Sequence, residues 1–338
     1  IRRPDMKKIG ILTYWGVANY GAWTQAYALN KVLTNMYPNC DVKHVAYLEQ
    51  SHWNSYYKSD RKALNNFGYN WDEIPHTPEL DEIELEREPF DVLVVGADSI
   101  WEEIFTGVIN HDWHLIGKNL PNCKKIISYA PSSGIYDGME HIPNEAIEGL
   151  KHFQAISVRD KTTQSFVERA VGVEVPIVVD PALLWDFTTD DAVRKTRYSN
   201  YIVVYGAKWD LNFIDKVKQY AKQKGLLLIS IGFINDWCDV NFRRNELRTL
   251  EWIGMFASAE CVVTSTFHGL MIGLNFNKNI KLCQVDYVKN RSQTLMDICK
   301  IPNHAVDFEK KIDYGYVNRR LKEQREYALS WLKEAINL

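Results

Sequence analysis

The stretch Ile9–Met36, IGILTYWGVANYGAWTQAYALNKVLTNM, decides the fold, because it joins a short apolar run to an amphipathic run through a glycine-containing turn. Ile9 to Leu12 has the length and composition of a buried strand. From Ala22 to Met36 apolar residues recur at spacings of three and four, which predicts a helix with one buried face. Between them, Asn19-Tyr20-Gly21 would present backbone N–H groups and the positive end of a helix dipole to an anionic ligand. A plain tight turn is the alternative interpretation, since a glycine serves any turn of this kind.

Apolar runs of strand length recur along the chain with helical-period segments between them, which predicts a mostly parallel sheet with helices on both faces. The predicted strands of the first cycle are Ile9–Leu12, Val42–Leu48, Asp91–Val95, Lys125–Ala130, Ala155–Val158 and Pro176–Val179. Those of a second cycle are Tyr201–Tyr205, Leu226–Ile231, Cys261–Thr264 and Ile280–Val285. The chain is therefore predicted to be an α/β protein with two Rossmann-like domains and its ligand between them.

The domain boundary is expected within Asp186–Asn200, a polar stretch without periodicity. We expect an N-terminal domain over residues 6–190 and a C-terminal domain over residues 191–315, followed by a helix over 316–338 that could cross back to the first domain. An aromatic excursion over residues 51–89 interrupts the first domain. Its rings either stack on sugar faces or pack the excursion onto its own domain, and packing is favoured because large rings dominate burial.

Composition and charge argue against several classes of protein. With 40 basic and 43 acidic residues and a net charge of −3, the chain has no basic stripe for nucleic acid. It lacks a signal-peptide core and any apolar stretch near the roughly 18 to 20 residues of a membrane span. We therefore expect a cytoplasmic protein that contacts a membrane, if at all, peripherally at its inner face. Six cysteines lie far apart without a C-x-x-C pair, which predicts reduced thiols and no metal site.

Small and polar side chains follow successive predicted strands, and in open α/β sheets ligands bind beyond those strand ends. The segments are Gly96–Trp101, Pro131–Gly134, Arg159-Asp160, Asp180-Pro181 and Ser265–Gly269. His268 stands at a predicted helix N-terminus, where the dipole would lower the pKa of an imidazolium and leave a neutral ring able to act as a base; helix capping is the alternative role. Arg159 would offer paired donors to a carboxylate or phosphate, or form a salt bridge to Asp160 or Asp180.

Several catalytic signatures are absent from the sequence. It contains no HExxH, Walker A, GxSxG or complete GxGxxG motif. Metal-assisted hydrolysis, ATP cleavage by a P-loop and serine hydrolysis are therefore disfavoured.

Short blocks in a fixed order resemble the polysaccharide pyruvyl transferase family. They are Gly10–Thr13 with Asn19–Ala22 and Gln25–Leu29, then Gly96–Trp101 (GADSIW), Ser128–Gly134 (SYAPSSG), Ser157–Asp160 (SVRD), Asp180–Leu184 (DPALL) and Thr264–Gly269 (TSTFHG), with Arg291 at the place of a further family arginine. Each block is degenerate, but the ordered series from about residue 9 to residue 298 is specific. Ala97 stands where serine is usual and Pro131 where a small residue is commoner, and neither change removes a candidate catalytic group.

The resemblance implies a fold like that of glycosyltransferase-B enzymes, and transfer of pyruvate from phosphoenolpyruvate to a sugar as a ketal, without a cofactor. It implies that Arg159, Arg291 and N–H groups near Gly21 and Gly269 hold the donor, with His268 and Asp98 as the catalytic acid/base residues. The remaining candidate substrate contacts are Asn19, Tyr20, Trp101, Ser132, Ser133 and Thr266. The implied acceptor is a saccharide, free or lipid-linked.

Two other interpretations stay open. A nucleotide-sugar glycosyltransferase on a similar two-domain frame would need a nucleoside pocket in the second half, for which Trp237 or Trp252 could serve. A non-catalytic glycan or anion-binding module would bind the donor without releasing phosphate. His268 and Arg159 would then need another explanation.

Overall fold

The computed structural model describes residues 6–48, 50–102, 112–303 and 307–337. Within them the chain forms two parallel five-stranded sheets, one in each half. The first contains β1 Lys8–Leu12, β2 Asp41–His44, β3 Val92–Val95, β4 Ile126–Ser128 and β5 Ala155–Ile156. The second contains β6 Tyr201–Tyr205, β7 Leu227–Gly232, β8 Val240–Arg243, β9 Cys261–Thr264 and β10 Asn279–Leu282. The predicted α/β class and parallel sheets are confirmed.

Helices connect the strands and cover both sheets. In the first half they are α1 Tyr20–Met36, α2 Gln50–Trp71, α3 Glu82–Arg87, α4 Asn144–Leu150, α5 Lys161–Val171 and α6 Pro181–Leu184. In the second half they are α7 Leu211–Lys224, α8 Thr249–Ser258, α9 Phe267–Asn275, α10 Asp286–Cys299 and α11 Tyr314–Ile336.

The order of the strands fixes where ligands can bind. It is β2-β1-β3-β4-β5 in the first sheet and β10-β9-β6-β7-β8 in the second. The direction in which strands are added therefore reverses between β1 and β3 and between β6 and β9. Loops that leave the two strands at such a switch point diverge and open a crevice. Asp98 follows β3 and His268 follows β9, so the fold brings each to a switch point.

A continuous apolar core joins the two halves. The ring of Tyr20, at the start of α1, stacks on Trp252 of α8 with ring centroids 5.0 Å apart and an interplanar angle of 4°. The Tyr20 hydroxyl donates to the carbonyl of Leu247 at 2.8 Å. Tyr20 was predicted to contact substrate, but its ring and hydroxyl are both taken up in the contact between the halves. Trp252 is fully buried, so it cannot be the nucleoside platform considered for a glycosyltransferase.

Helix α11 returns to the first half. Trp331 lies beside Tyr129, which follows β4, with ring centroids 6.2 Å apart. Lys125 Nζ donates to the carbonyl of Ile336 at 2.7 Å, and Ile336 is buried. The last helix therefore packs against the sheet built by the first residues of the chain.

Some predicted elements differ from the observed ones. Pro176–Val179 is not a strand, and only a single bridge joins Ile177 to Val158. The edge strand β8 was missed, because its four residues, VNFR, are too few and too polar to give a strand period. The excursion contains α2, where Phe67 and Trp71 are buried while Tyr69 is 68% exposed. Packing thus accounts for two of its large rings.

Two expectations from composition concern cysteines and membrane spans. All six cysteines are free thiols, and three of them are buried. None of the described helices combines the length and the apolar character that crossing a bilayer requires.

A buried histidine joins α3 to the turn over Trp113–Ile116. His114 Nδ1 lies 2.8 Å from Asp112 Oδ1, and its Nε2 lies 3.1 Å from Glu86 Oε1. His114, Glu86 and Glu82 form the one set of ligand atoms in the described chain close enough to hold a metal, within 4.8 Å of one another. Burial lowers the pKa of His114, but Asp112 and Glu86 more than offset this, and the net pKa lies above its ordinary 6.5. The arrangement fits an imidazolium held between two carboxylates.

The stability contributed by His114 is expected to depend on pH. Because its folded-state pKa is raised, the contribution is complete below the unfolded pKa and is lost as pH rises through the folded value. His114→Asn should therefore lower the free energy of unfolding by about 1.5 to 3 kcal/mol near pH 6, and by less near pH 9. Urea unfolding at both pH values measures this. His152→Asn is the control, because the hydrogen bond of the His152 ring in the described chain runs from Nδ1 to the backbone carbonyl of Gly117, at 2.9 Å, and not to a carboxylate. An equal loss at both pH values for His114→Asn would contradict the ion-pair role.

Candidate active site

The N-terminal ends of α1 and α9 meet where the two halves join. A Cβ placed on Gly21 would lie 2.2 Å from His268 Nδ1, so only glycine leaves room for the imidazole. His268 belongs to the second half, and its side chain is 12% exposed. The turn that opens the fold therefore packs directly against the ring of the candidate base.

Side-chain caps accept from three backbone N–H groups at these helix ends. Asn19 caps α1, its Oδ1 accepting from the N–H groups of Gly21 at 2.9 Å and Ala22 at 3.2 Å. Thr266 caps α9, its Oγ1 accepting from Gly269 N–H at 3.0 Å. The caps use these three N–H groups, and donor binding by N–H groups near Gly21 and Gly269 stays a prediction. Asn19 and Thr266 likewise act as helix caps.

Arg159 is the buried cation at the centre of the site. Its Nη1 donates to Asp180 Oδ2 at 2.9 Å and lies 3.9 Å from Asp98 Oδ1. Its Cζ lies 4.3 Å from the ring centroid of Phe267. Nε and Nη2 are buried and have no hydrogen-bond partner among the described residues. The predicted salt bridge to Asp180 is thus present, and two further guanidinium nitrogens are left to receive an anion.

His268 is arranged as a neutral base. Burial lowers its pKa, and so do Arg159 and Arg291, while Asp180 and Asp98 raise it; the net pKa lies below 6.5. The ring is therefore uncharged at neutral pH, as predicted, although burial is the main cause. Its Nε2 is buried without a hydrogen-bond partner in the described chain. That nitrogen is available to take or give a proton.

Asp98 carries a charge beside this base. Burial raises the pKa of Asp98, but electrostatic interactions with His268, Arg159 and Arg291 lower it by more. The net pKa is therefore below 3.8. Its backbone is left-handed, with φ at 67°, a conformation that non-glycine residues adopt uncommonly and often at functional sites. Asp98 is thus ionised, which suits an electrostatic or basic role better than that of an acid.

Arg291 reaches the site from α10. Its guanidinium pairs with Glu102, a carboxylate of the first half, so the pair crosses the join between the halves. A narrow pocket runs between Arg159 and Arg291, with Met271 and Leu295 among its apolar walls. Two cations and apolar walls suit a small anion that also has an apolar part.

Three predicted contacts point into the first half instead. Trp101 is fully buried, and its Nε1 donates to the carbonyl of Leu115 at 2.7 Å. Ser132 Oγ donates to Asp160 Oδ2 at 2.6 Å, and Ser133 Oγ donates to the carbonyl of Tyr136 at 2.6 Å. Their polar groups are satisfied within the fold, which gives these residues a structural role, and their contact with substrate stays a prediction.

The sequence did not single out two side chains of the site, and it named a third, Asp180, only as a possible salt-bridge partner of Arg159. Glu102 pairs with Arg291, Phe267 stacks under Arg159, and Asp180 joins Arg159 to the neighbourhood of His268. Asp180 lies in the DPALL block, but an aspartate before a proline is typical of a helix N-cap and so does not by itself indicate a site residue. The other two carried no pattern that distinguishes them from ordinary core or surface residues.

The overall architecture is that of two-domain enzymes of the glycosyltransferase-B type. Similar solved structures include S. aureus MnaA with UDP, with 14% identity and a TM-score of 0.53 over 97% of this chain and 91% of that one. Another is a putative UDP-N-acetylglucosamine 2-epimerase from Listeria monocytogenes, with 10% identity and a TM-score of 0.53, over 96% of this chain and 90% of that one. The UDP-GlcNAc 2-epimerase of Methanocaldococcus jannaschii has 12% identity and a TM-score of 0.51, over 96% of this chain and 100% of that one. At such identities the likeness establishes the fold alone.

The family is established by sequence. A model of the family described as polysaccharide pyruvyl transferase matches residues 19–279, well over half of the chain. The chain belongs to the polysaccharide pyruvyl transferase family, and the predicted resemblance is confirmed. It is thus a transferase of a family that acts on saccharides. A search of curated proteins finds no match.

Gly21→Ala is expected to displace the His268 ring. The added Cβ would overlap Nδ1 at 2.2 Å, and a shift of about 1 Å in a reacting group can cost ~10²-fold in turnover. The measurement is the rate of the purified variant together with the NMR signals of the His268 ring. Gly68→Ala in α2 is the matched control, because a Cβ there meets nothing within 4 Å. An unmoved ring with normal turnover in Gly21→Ala would contradict the role given to this glycine.

Proposed function

We propose that this protein transfers the pyruvyl group of phosphoenolpyruvate to a pair of hydroxyls on a saccharide, forming a pyruvate ketal. The observation that carries the proposal is the buried Arg159, whose unpartnered Nε and Nη2 lie in the same charged cluster as the neutral ring of His268. Membership of the family supports pyruvyl transfer in general. The donor, the ketal product and the residues that act are the proposal.

The pocket chemistry matches the donor. Phosphoenolpyruvate carries a carboxylate and a phosphate, which Arg159 and Arg291 would bind by charge-assisted hydrogen bonds. Arg291 would exchange Glu102 for the ligand. The small methylene group of the donor suits apolar walls such as Met271 and Leu295. Phe267, stacked on Arg159 at 4.3 Å, would keep the guanidinium plane fixed while it receives the anion.

The reaction needs two protons moved, and the acceptor supplies both. The first hydroxyl attacks the central carbon of the enol phosphate while the methylene carbon gains a proton and becomes a methyl group. The carbon–oxygen bond to phosphate then breaks, and the second hydroxyl attacks the same carbon to close the ketal. One of the two hydroxyl protons ends on the methyl group and the other on the phosphate or in solvent. We assign the proton transfers to His268, with Asp98 stabilising its charged form. The donor carries its own leaving group, so no cofactor is required.

Thermal unfolding with saturating ligands tests the donor. At about 100 times Kd, a ligand of the native state adds about 2.7 kcal/mol and raises the midpoint visibly. We expect phosphoenolpyruvate to raise it, uridine and guanosine diphosphates to leave it unchanged, and Arg159→Gln to lose the rise. A rise with a nucleotide alone would replace the proposal with a nucleotide-sugar glycosyltransferase. No rise with any of the three would contradict donor binding by the free enzyme.

Phosphate release then distinguishes an enzyme from a binding module. Phosphoenolpyruvate is incubated with a panel of saccharides that carry neighbouring or 4,6-placed hydroxyls, and phosphate is measured. Release that depends on one acceptor class supports ketal formation. Donor binding without release across the panel would favour a non-catalytic module.

A further inference from the structure

Asp180 is the most completely buried charged group of the site. Its side chain is 0% exposed, and its Oδ2 lies 2.9 Å from Arg159 Nη1 and 3.9 Å from His268 Nε2. Its Oδ1 accepts from the N–H of Ala182 at 3.0 Å and so caps α6. One carboxylate of the first half therefore faces both Arg159, the cation proposed to bind the donor, and His268, the proposed base.

Capping alone does not account for an ionised side chain here. A serine or asparagine would cap α6 through a single oxygen, as Oδ1 does. A buried carboxylate is costly unless cations face its other oxygen. At Asp180 that cation is Arg159, 2.9 Å from Oδ2, so the charge of Asp180 belongs to the site and not to the helix end.

We propose that Asp180 is a positioning residue that couples Arg159 to His268, so that an anion bound by Arg159 moves His268 toward its protonated form. The catalytic meaning of this coupling rests on the proposed function. The coupling itself is a property of the free protein and can be tested without the reaction.

The balance of charges around His268 gives the direction. Four charged groups face the ring from four segments: Asp180, Asp98, Arg159 and Arg291. Burial and the two arginines keep the pKa of the ring below 6.5, although the two carboxylates raise it. An anion on the arginines would offset their field and leave Asp180 and Asp98 to favour the imidazolium.

The coupling would strengthen the base when the donor has arrived. With its lowered pKa His268 is a weak base, and it becomes a stronger one once an anion is bound. The proton it then takes comes from the attacking sugar hydroxyl, and the same proton can be passed on to the methylene carbon or the departing phosphate. No other reactant is required for that transfer.

Histidine ring NMR tests the proposal. The chain has 9 histidines, and loss of one signal in His268→Asn assigns the ring. We expect Asp180→Asn to shift the His268 titration to lower pH, because a neighbouring carboxylate is lost. The matched control is Asp190→Asn, whose carboxylate likewise accepts two short bonds, from Tyr27 at 2.8 Å and Trp185 at 2.7 Å, but lies outside this cluster. Coincident His268 titrations in wild type and Asp180→Asn would overturn the proposal.

Sulfate serves as a dianion that does not titrate in this range. It should shift the His268 titration of the wild type to higher pH, and this shift should vanish in Arg159→Gln. Absence of the shift at saturating sulfate would overturn the coupling. A shift with sulfate but none with phosphoenolpyruvate would leave the coupling standing and contradict the proposed donor.

Arg159→Gln also covers the case in which Asp180→Asn does not fold. Removing the cation while Asp180 stays should raise the pH at which His268 titrates. An unchanged titration in a folded Arg159→Gln would equally overturn the proposal.

Discussion

Replacing His268 with asparagine is expected to lower the turnover of pyruvyl transfer by ~10²- to 10⁴-fold, the usual contribution of a positioned acid/base. Asparagine keeps a polar side chain beside Gly21 but cannot accept and return a proton. Steady-state phosphate release with saturating donor and acceptor measures the loss. The thermal rise with phosphoenolpyruvate should persist, because Arg159 is untouched.

The same residue sets the expected pH dependence. Because the pKa of His268 in the free protein lies below 6.5, its basic form predominates at neutral pH. The value of kcat/KM should therefore stay level at neutral pH and fall only on the acid side of 6.5. A folded His268→Asn variant with near wild-type turnover, or one that keeps an acid limb like that of the wild type, would remove His268 from the mechanism.

Replacing Arg159 with glutamine is expected to weaken phosphoenolpyruvate binding by about 10- to 100-fold, the equivalent of one or two hydrogen bonds to a charged group. The acceptor KM should change much less, since Arg159 faces the small anion pocket. Isothermal titration with the donor and acceptor kinetics give the two values. Equal weakening of donor and acceptor would show that the variant disturbs the whole pocket.

Arg159→Lys separates charge from geometry. Lysine keeps the positive charge, but it lacks the planar fork and the stacking on Phe267 that holds the guanidinium at 4.3 Å. Donor binding should therefore be intermediate between those of the wild type and Arg159→Gln. Wild-type affinity in Arg159→Lys would mean that charge alone is needed.

The strands that build the two sheets could largely be predicted from the sequence, because apolar runs and their period depend directly on burial. β1, β3, β6 and β9 were all predicted, and they are the strands at the two switch points. It failed at Pro176–Val179, which is apolar and extended but pairs with Val158 through a single bridge. Whether an apolar segment joins a sheet depends on its neighbours, which lie far away in sequence.

The site was harder to predict because a side chain's partners decide what it can bind. Arg159, His268 and Asp98 follow strands as predicted, whereas Arg291, predicted to follow a strand, lies within α10; the structure brings all four into one charged cluster. At Gly21 and Gly269 the exposed helix ends were predicted without allowing for Asn19 and Thr266, which cap them. Tyr20 lies in the most informative motif of the chain yet serves the join between the halves. A sequence motif therefore indicates which segments lie near the candidate site, but it does not distinguish residues that could contact substrate from residues that hold the structure around them.

The return of α11 to the first sheet has a consequence for synthesis. Lys125 and Ile336 are hydrogen-bonded although 211 positions separate them. The ribosome releases the chain from its beginning, so the first half emerges with Tyr129 and its surroundings uncovered until the last helix has been made. Contacts of such long range slow folding and leave apolar surface exposed meanwhile. The nascent protein should accordingly depend on holding chaperones for longer than its modular architecture suggests, and a stop codon placed just before α11 should yield an aggregating product and not a smaller enzyme.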